Sequence, residues 1–242
     1  MASVLYITYD GIMEPLGRSQ VLNYLSVLSH SHNIYLISFE KSKDVLDAVE
    51  LSRIEDLVDK KKIKWVRLRY HKYPTSIATL LDIIFGLIIS FWIVVRYRVR
   101  IIHARSYVPS VIALLLKKIL NVYFIFDMRG FWADERIDGG LWKKNSRLFR
   151  ISKWFERHFF INADYIVSLT NAAVTEITRL PYLADKKLKI KVITTCTDLN
   201  FFRPKSYSKN DMSNGHIFTV GYVGSVGVWY LFDETLRCFS MI

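Results

Sequence analysis

Short apolar or β-branched runs along this chain alternate with longer stretches of helical periodicity, the pattern of a parallel sheet whose strands are joined by crossover helices. Val4–Thr8 reads as a first strand, Ser19–Leu28 as a helix and Asn33–Phe39 as a second strand. Apolar side chains at Val45, Leu46, Val49, Ile54, Leu57 and Val58 predict an amphipathic helix over Asp44–Asp59, and Ile63–Leu68 follows as a third strand. Beyond Tyr73-Pro74 come a long apolar helix, a strand at Arg100–His103, a helix over Ser110–Leu120 and an aromatic strand at Val122–Phe126. Lys143–Asn162 predicts a further long helix that turns Leu148, Ile151, Trp154, Phe155, His158 and Phe159 toward a core. Tyr165–Ser168 and Lys191–Thr194 are short strands separated by a helix starting near Asn171. The middle strands are hydrophobic throughout, as strands covered on both faces should be. The expected fold class is therefore α/β, a Rossmann-like parallel sheet with helices on both faces.

One polar stretch rich in Ser and Asn, Ser206–His216, reads as a linker. It divides a first domain over residues 1–205 from a second that begins at residue 217. The second opens with a strand at Phe218–Val223, a glycine turn and a helical segment from Leu231. One strand–turn–helix unit cannot bury both faces of its strand, so the expectation is a truncated second domain or half of a split protein.

Composition adds the electrostatics. With 51% hydrophobic residues the chain has ample material for a packed core, and 34 Lys and Arg against 22 Asp and Glu give a formal charge of +12. Such a surface favours phosphates, nucleic acid or anionic lipid. The basic residues are scattered, with no aromatic RNA-binding signature and no Cys/His finger spacing, so nucleic acid is not the expected partner. Cys196 and Cys238 are too few and too far apart for a disulfide or metal framework. The N-terminus lacks a basic signal-peptide region and reaches Asp10 at once, so the expected location is cytoplasmic.

The segment Ile77–Val95 is almost continuously apolar, broken by Asp82 and followed by Arg96, Arg98 and Arg100. A helix buried between the layers of the fold is the leading reading; an interfacial helix and a membrane span are the alternatives. Asp82 and the immediate return to strand-like sequence argue against spanning. Joined to the aromatic-basic Lys143–Phe160 segment and the net charge, it predicts peripheral adsorption to the inner face of an anionic membrane.

In an open parallel sheet, ligands gather where loops leave the carboxyl ends of strands. The loop after the first strand carries Gly17, which permits close backbone approach, then Arg18 and Ser19, with Ser19 placed to cap the next helix. After the fourth strand come His103, Arg105 and Ser106; His103 by itself reads more readily as a structural histidine. After the fifth come Asp127, Arg129 and Glu135. A carboxylate and a guanidinium two residues apart can hold sugar hydroxyls or developing charge from one cleft, or can simply pair with each other. Thr170 ends the sixth strand, and Gly224, Ser225 and Gly227 form a turn suited to phosphate, without a Walker lysine or full dinucleotide spacing.

Taken in order, several segments resemble the retaining, family-four group of GT-B glycosyltransferases. They are Tyr9-Asp10-Gly11 with Leu16-Gly17-Arg18-Ser19-Gln20, Ile102-His103-Ala104-Arg105-Ser106-Tyr107, Phe126-Asp127-Met128-Arg129-Gly130-Phe131, Ala163-Asp164, Val167-Ser168-Leu169-Thr170, Cys196-Thr197-Asp198-Leu199 with Phe202-Arg203-Pro204, and Tyr222 through Gly227. The resemblance implies two facing Rossmann-like domains, an acceptor side from the first and a nucleotide-sugar held mainly by the second. It implies no metal and no cofactor beyond the donor as co-substrate, and a glycan or lipid-linked acceptor. Asp127 corresponds to a position that faces the transferred sugar, where many relatives carry His. The family's basic pair and Glu-x7-Glu motif lie beyond the end of this sequence. A second hypothesis follows: a non-catalytic membrane-docking or acceptor-binding subunit that works with a separate donor-domain chain.

Overall fold

A computed structural model describes residues 1–197, 199, 202–203, 221–224, 226 and 231–241. The linker expected at 206–216, the first half of the strand expected at 218–223, Ser225 and Gly227 lie outside the described residues, and 221–223 carry no regular secondary structure. Seven strands are described: β1 (Ala2–Thr8), β2 (His32–Glu40), β3 (Lys64–Arg69), β4 (Ile101–Arg105), β5 (Tyr123–Asp127), β6 (Tyr165–Ser168) and β7 (Ile190–Val192). They form one parallel sheet in the order β3-β2-β1-β4-β5-β6-β7. The chain moves outward from β1 to β3, then crosses back to lay β4 against the other side of β1. That reversal opens a crevice at the carboxyl ends of β1 and β4, the place where such sheets bind ligands.

Between β1 and β2 run α1 (Pro15–Gly17), a π turn over Arg18–Leu22 and α2 (Asn23–Leu28). α3 (Ser42–Val45) and α4 (Ala48–Lys60) precede β3. α5 (Thr75–Tyr97) and α6 (Tyr107–Ile119) flank β4. α7 (Trp132–Asp138) and α8 (Arg147–Asn162) lie between β5 and β6, α9 (Asn171–Thr178) follows β6, and α10 (Phe232–Phe239) stands near the end. Two cores result. Tyr6, Ile12, Val21, Leu22, Leu25, Leu36, Ile54 and Val58 fill the side covered by the π turn, α2 and α4. Leu5, Ile7, Phe39, Ile112, Leu116, Phe124, Phe126, Phe159 and Phe160 fill the side covered by α5, α6 and α8.

Two helices bury different faces from those expected. α5 is not enclosed between layers. It turns Ala78, Asp82, Gly86, Ser90, Ile93 and Val94 inward, while Ile77, Leu81, Phe85, Ile88, Trp92 and Val95 stay exposed. The inner stripe is built of small and polar residues because the helix sits tightly on its neighbours. A Cβ on Gly86 would lie 2.6 Å from Ile112 Cδ1 and 3.0 Å from Phe39 Cζ. Asp82 is satisfied there, accepting hydrogen bonds from the Tyr9 hydroxyl at 2.7 Å and the His71 backbone N–H at 3.1 Å, with His71 Nδ1 at 2.5 Å. In α8 the buried positions are Glu156, Phe159 and Phe160, whereas Leu148, Ile151 and Trp154 are exposed, so the apolar face drawn from its first turns is not the core-facing one.

Candidate functional site

β1, β4 and β5 end on the same row of the sheet: Thr8 is in register with Arg105, and Arg105 with Asp127. Two residues earlier, Tyr6 is in register with His103. Because side chains alternate along a strand, His103, Arg105 and Asp127 all emerge on the side covered by the π turn and α2. A cavity of about 490 Å³ opens there, lined among others by Tyr6, Ser19, Gln20, Tyr24, Lys61 and Thr194–Thr197 as well as these three residues and Arg129.

Its floor is a charged network. The Arg105 guanidinium, 3% exposed, donates from Nε to Asp10 at 3.3 Å and from Nη2 to Gln20 Oε1 at 2.7 Å. Arg129 Nη2 donates to the same Gln20 oxygen at 2.7 Å and to Thr195 Oγ1 at 3.3 Å. Gln20 therefore bridges two like charges, and the π turn that carries it widens the helix where the cavity begins. Burial, then the adjacent Arg105 charge, lowers the Arg129 pKa below the usual guanidinium value. Asp127, 5% exposed, has Oδ2 3.4 Å from His103 Nε2 and Oδ1 3.9 Å from Arg129 Nη1. Oδ1 is buried with no hydrogen-bond partner among the described residues. A buried carboxylate oxygen without a donor costs about 1–3 kcal/mol or more, a cost that a bound hydroxyl or water removes. Burial and then the Asp127 charge push the Tyr6 phenol well above its ordinary pKa, so it stays protonated.

Local backbone geometry sets these groups. Arg129 has φ 56° and Ser106 φ 69°, left-handed values that L residues avoid at a cost of about 1–3 kcal/mol each. The Ser106 turn is held by its N–H donating to the Asp127 carbonyl at 2.8 Å, which ties the end of β4 to that of β5. The loop after β1 is anchored by buried Glu40. Its carboxylate accepts from the backbone N–H groups of Ile12 at 2.9 Å and Met13 at 3.2 Å and from Ser38 Oγ at 2.5 Å.

Of the residues singled out from the sequence, Ser19, His103, Arg105, Asp127 and Arg129 line the cavity; Gly17, Arg18, Ser106, Glu135 and Thr170 do not. The helix begins at Pro15, earlier than expected, so Gly17 is buried inside its first turn, where an added Cβ would collide with the Gly11 carbonyl. For the same reason Ser19 does not cap; its hydroxyl donates to the Leu16 carbonyl at 3.2 Å. Arg18 turns away to pair with Glu50 of α4. Glu135 lies in the first turn of α7 against Gly130, a segment read from sequence as loop, and Thr170 caps α9 by accepting from the Ala173 N–H at 3.1 Å. Gly224 is described without regular secondary structure. Gln20, Tyr6 and Thr195 also line the cavity, though the sequence does not single them out. The signal for Gln20 is its place at the end of the Leu16–Gln20 segment, in the first turns after β1. Among the described residues no group of three or more His, Cys, Asp or Glu is arranged to hold a metal ion.

No protein-family model and no curated protein sequence matches the chain. Solved structures do resemble it. Sucrose-phosphate synthase from Thermosynechococcus elongatus aligns with a TM-score of 0.58 at 11% identity, over 84% of this chain and 50% of that one. A ugt transferase from Siraitia grosvenorii, solved in complex with UDP, aligns with a TM-score of 0.53 at 10% identity, over 83% of this chain and 52% of that one. The chain thus spans about half the length of these GT-B glycosyltransferases, and its parallel sheet with surrounding helices is the Rossmann-like α/β fold found in them.

Proposed function

We propose that this chain forms the acceptor side of a retaining GT-B glycosyltransferase that moves a sugar from a nucleotide-sugar donor to a glycan or lipid-linked acceptor. The observation that carries this reading is Asp127 Oδ1, buried and without a hydrogen-bond donor in a cavity flanked by two guanidiniums, at the crevice where the strand order reverses. A neutral hydroxyl suits that oxygen. The acceptor hydroxyl donates to Asp127, which orients it on the face of the departing phosphate, and a phosphate oxygen takes its proton as the new glycosidic bond forms and the bond to the nucleoside diphosphate breaks. The departing nucleoside diphosphate gains negative charge, and Arg105 and Arg129 stabilise it from positions already ordered by Gln20. The sheet shared with glycosyltransferases supports the assignment, and the facing domain implied by the sequence resemblance would hold most of the nucleotide. The donor is a co-substrate, and the reaction in this form calls on no metal.

The test is release of nucleoside diphosphate from a panel of sugar nucleotides, with glycan and lipid-linked acceptors, by the wild type, Asp127→Asn and Arg129→Gln. Asp127→Asn should keep the melting temperature and lower transfer by about 100-fold or more. Full turnover by Asp127→Asn overturns the assignment of Asp127. Acceptor binding without turnover by the wild type, with donor-domain protein supplied, favours the non-catalytic acceptor-binding subunit instead.

A further inference from the structure

α5 inverts the usual order of a helix on a sheet, spending its small and polar residues on the contact and presenting Ile77, Leu81, Ile84, Phe85, Ile88 and Trp92 to solvent. The helix is apolar and long enough to cross a bilayer by length and composition, yet a third of its most apolar window is buried against the protein. Contiguous apolar surface of this kind marks a contact site. Its two ends are cationic. At the N-terminal end a groove of about 690 Å³ is lined by Lys43, Arg69, His71 and Lys72 among others. At the C-terminal end Arg96, Arg98 and Arg100 are exposed. Among the described residues, no ion pair engages Arg69, Lys72 or any of those three arginines.

We infer that α5 is the membrane-docking face of this protein, lying in the plane of an anionic phospholipid bilayer with lipid phosphates held at both of its ends. The charge pattern selects this occupant over a second copy of the chain. Two α5 faces packed by a two-fold axis would set cationic ends against cationic ends, parallel or antiparallel, whereas an anionic surface complements both ends together. Insertion across the bilayer is opposed by the inner stripe. It would carry the Asp82 carboxylate into lipid and strip it of Tyr9 and His71. An interfacial helix sinks its apolar side roughly 5–10 Å into the headgroup boundary, a depth that the exposed side chains of α5 can reach while the inner stripe stays on the sheet. The inference does not rest on the transferase reading, and its test needs no turnover.

The full chain is floated with vesicles of phosphatidylglycerol and phosphatidylcholine or of phosphatidylcholine alone. Binding to the anionic vesicles at low salt, weakened as ionic strength rises, is expected. Leu81→Ser/Phe85→Ser/Ile88→Ser should retain the wild-type melting temperature and bind at least about tenfold more weakly, and Arg69→Gln/Lys72→Gln should weaken binding at low salt and flatten its dependence on ionic strength. Brominated lipids should quench a fluorescence component that Trp92→Phe removes. Equal binding by the folded triple-serine variant, or no binding by the wild type at low salt, overturns the inference. Resistance to alkaline carbonate extraction overturns it in favour of a span, and a dimer that only the triple-serine variant dissolves overturns it in favour of a second copy.

Discussion

α5 and α6 pack against each other on one face of the sheet and are both strongly apolar, yet they present opposite faces to it. α6 buries Ile112, Ala113, Leu114 and Leu116 and leaves Lys118 outside, as an amphipathic helix should. α5 buries Ala78, Asp82, Gly86 and Ser90 and leaves its bulk outside. The difference is a matter of available volume. Ile112 and Phe39 already occupy the space beneath Gly86, so only a narrow stripe of small and polar residues fits from Ala78 to Ser90, and large side chains of α5 are fully buried only at Ile93 and Val94 near its end. An apolar helix is not thereby a core helix.

The sharpest way to break the comparison is truncation on each helix. Ile112→Ala, at a fully buried site, should lower unfolding free energy by about 2–5 kcal/mol in urea titrations, because transfer and cavity costs add. Ile88→Ala, on the outer face of α5, should stay within about 0.5 kcal/mol of wild type. Equal losses would mean that α5 is covered in solution. Next in size, Gly86→Val forces volume between α5 and Ile112 and should cost about 1–3 kcal/mol despite glycine's poor helix propensity. Combining it with Ile112→Val should recover part of that loss, a coupling readable in a double-mutant cycle. Asp82→Ala strands the Tyr9 hydroxyl and the His71 N–H at the inner stripe and should cost about 1–3 kcal/mol, measured the same way.

The smallest effect concerns pH. Glu156 of α8 is buried against Tyr107 of α6, and burial raises its carboxyl above the ordinary 4.5 while Lys153 opposes the shift. The folded state then holds this proton more tightly than the unfolded state. The associated stability is fully present below about 4.5 and is lost as pH rises through the raised value. Glu156→Gln should flatten that decline in denaturant unfolding curves collected across the window.

The strand pattern was largely legible because the inner strands are short runs rich in β-branched and aromatic residues, the composition expected of a parallel strand covered on both faces. Arg105, Asp127 and Arg129 were legible for a related reason, since charged residues directly after such runs must emerge at the carboxyl edge. Gln20 and Glu40 were not. One bridges two arginines and the other holds a loop 27 or 28 residues away in sequence, and neither relation leaves a local signature. Arg18 shows the converse, standing beside Ser19 and Gln20 in the chain while its side chain departs to Glu50.

Periodicity and apolar runs thus determined that this chain builds a parallel sheet with crossover helices, and which strand ends carry charge. They act through neighbours a few residues apart, so one sequence contains them. The row that joins Thr8, Arg105 and Asp127, the bridging of two guanidiniums by Gln20, and the outward turn of α5 were decided only in three dimensions. Each depends on which side chains reach a shared volume first, and that competition for space exists only once the helices are packed on the sheet.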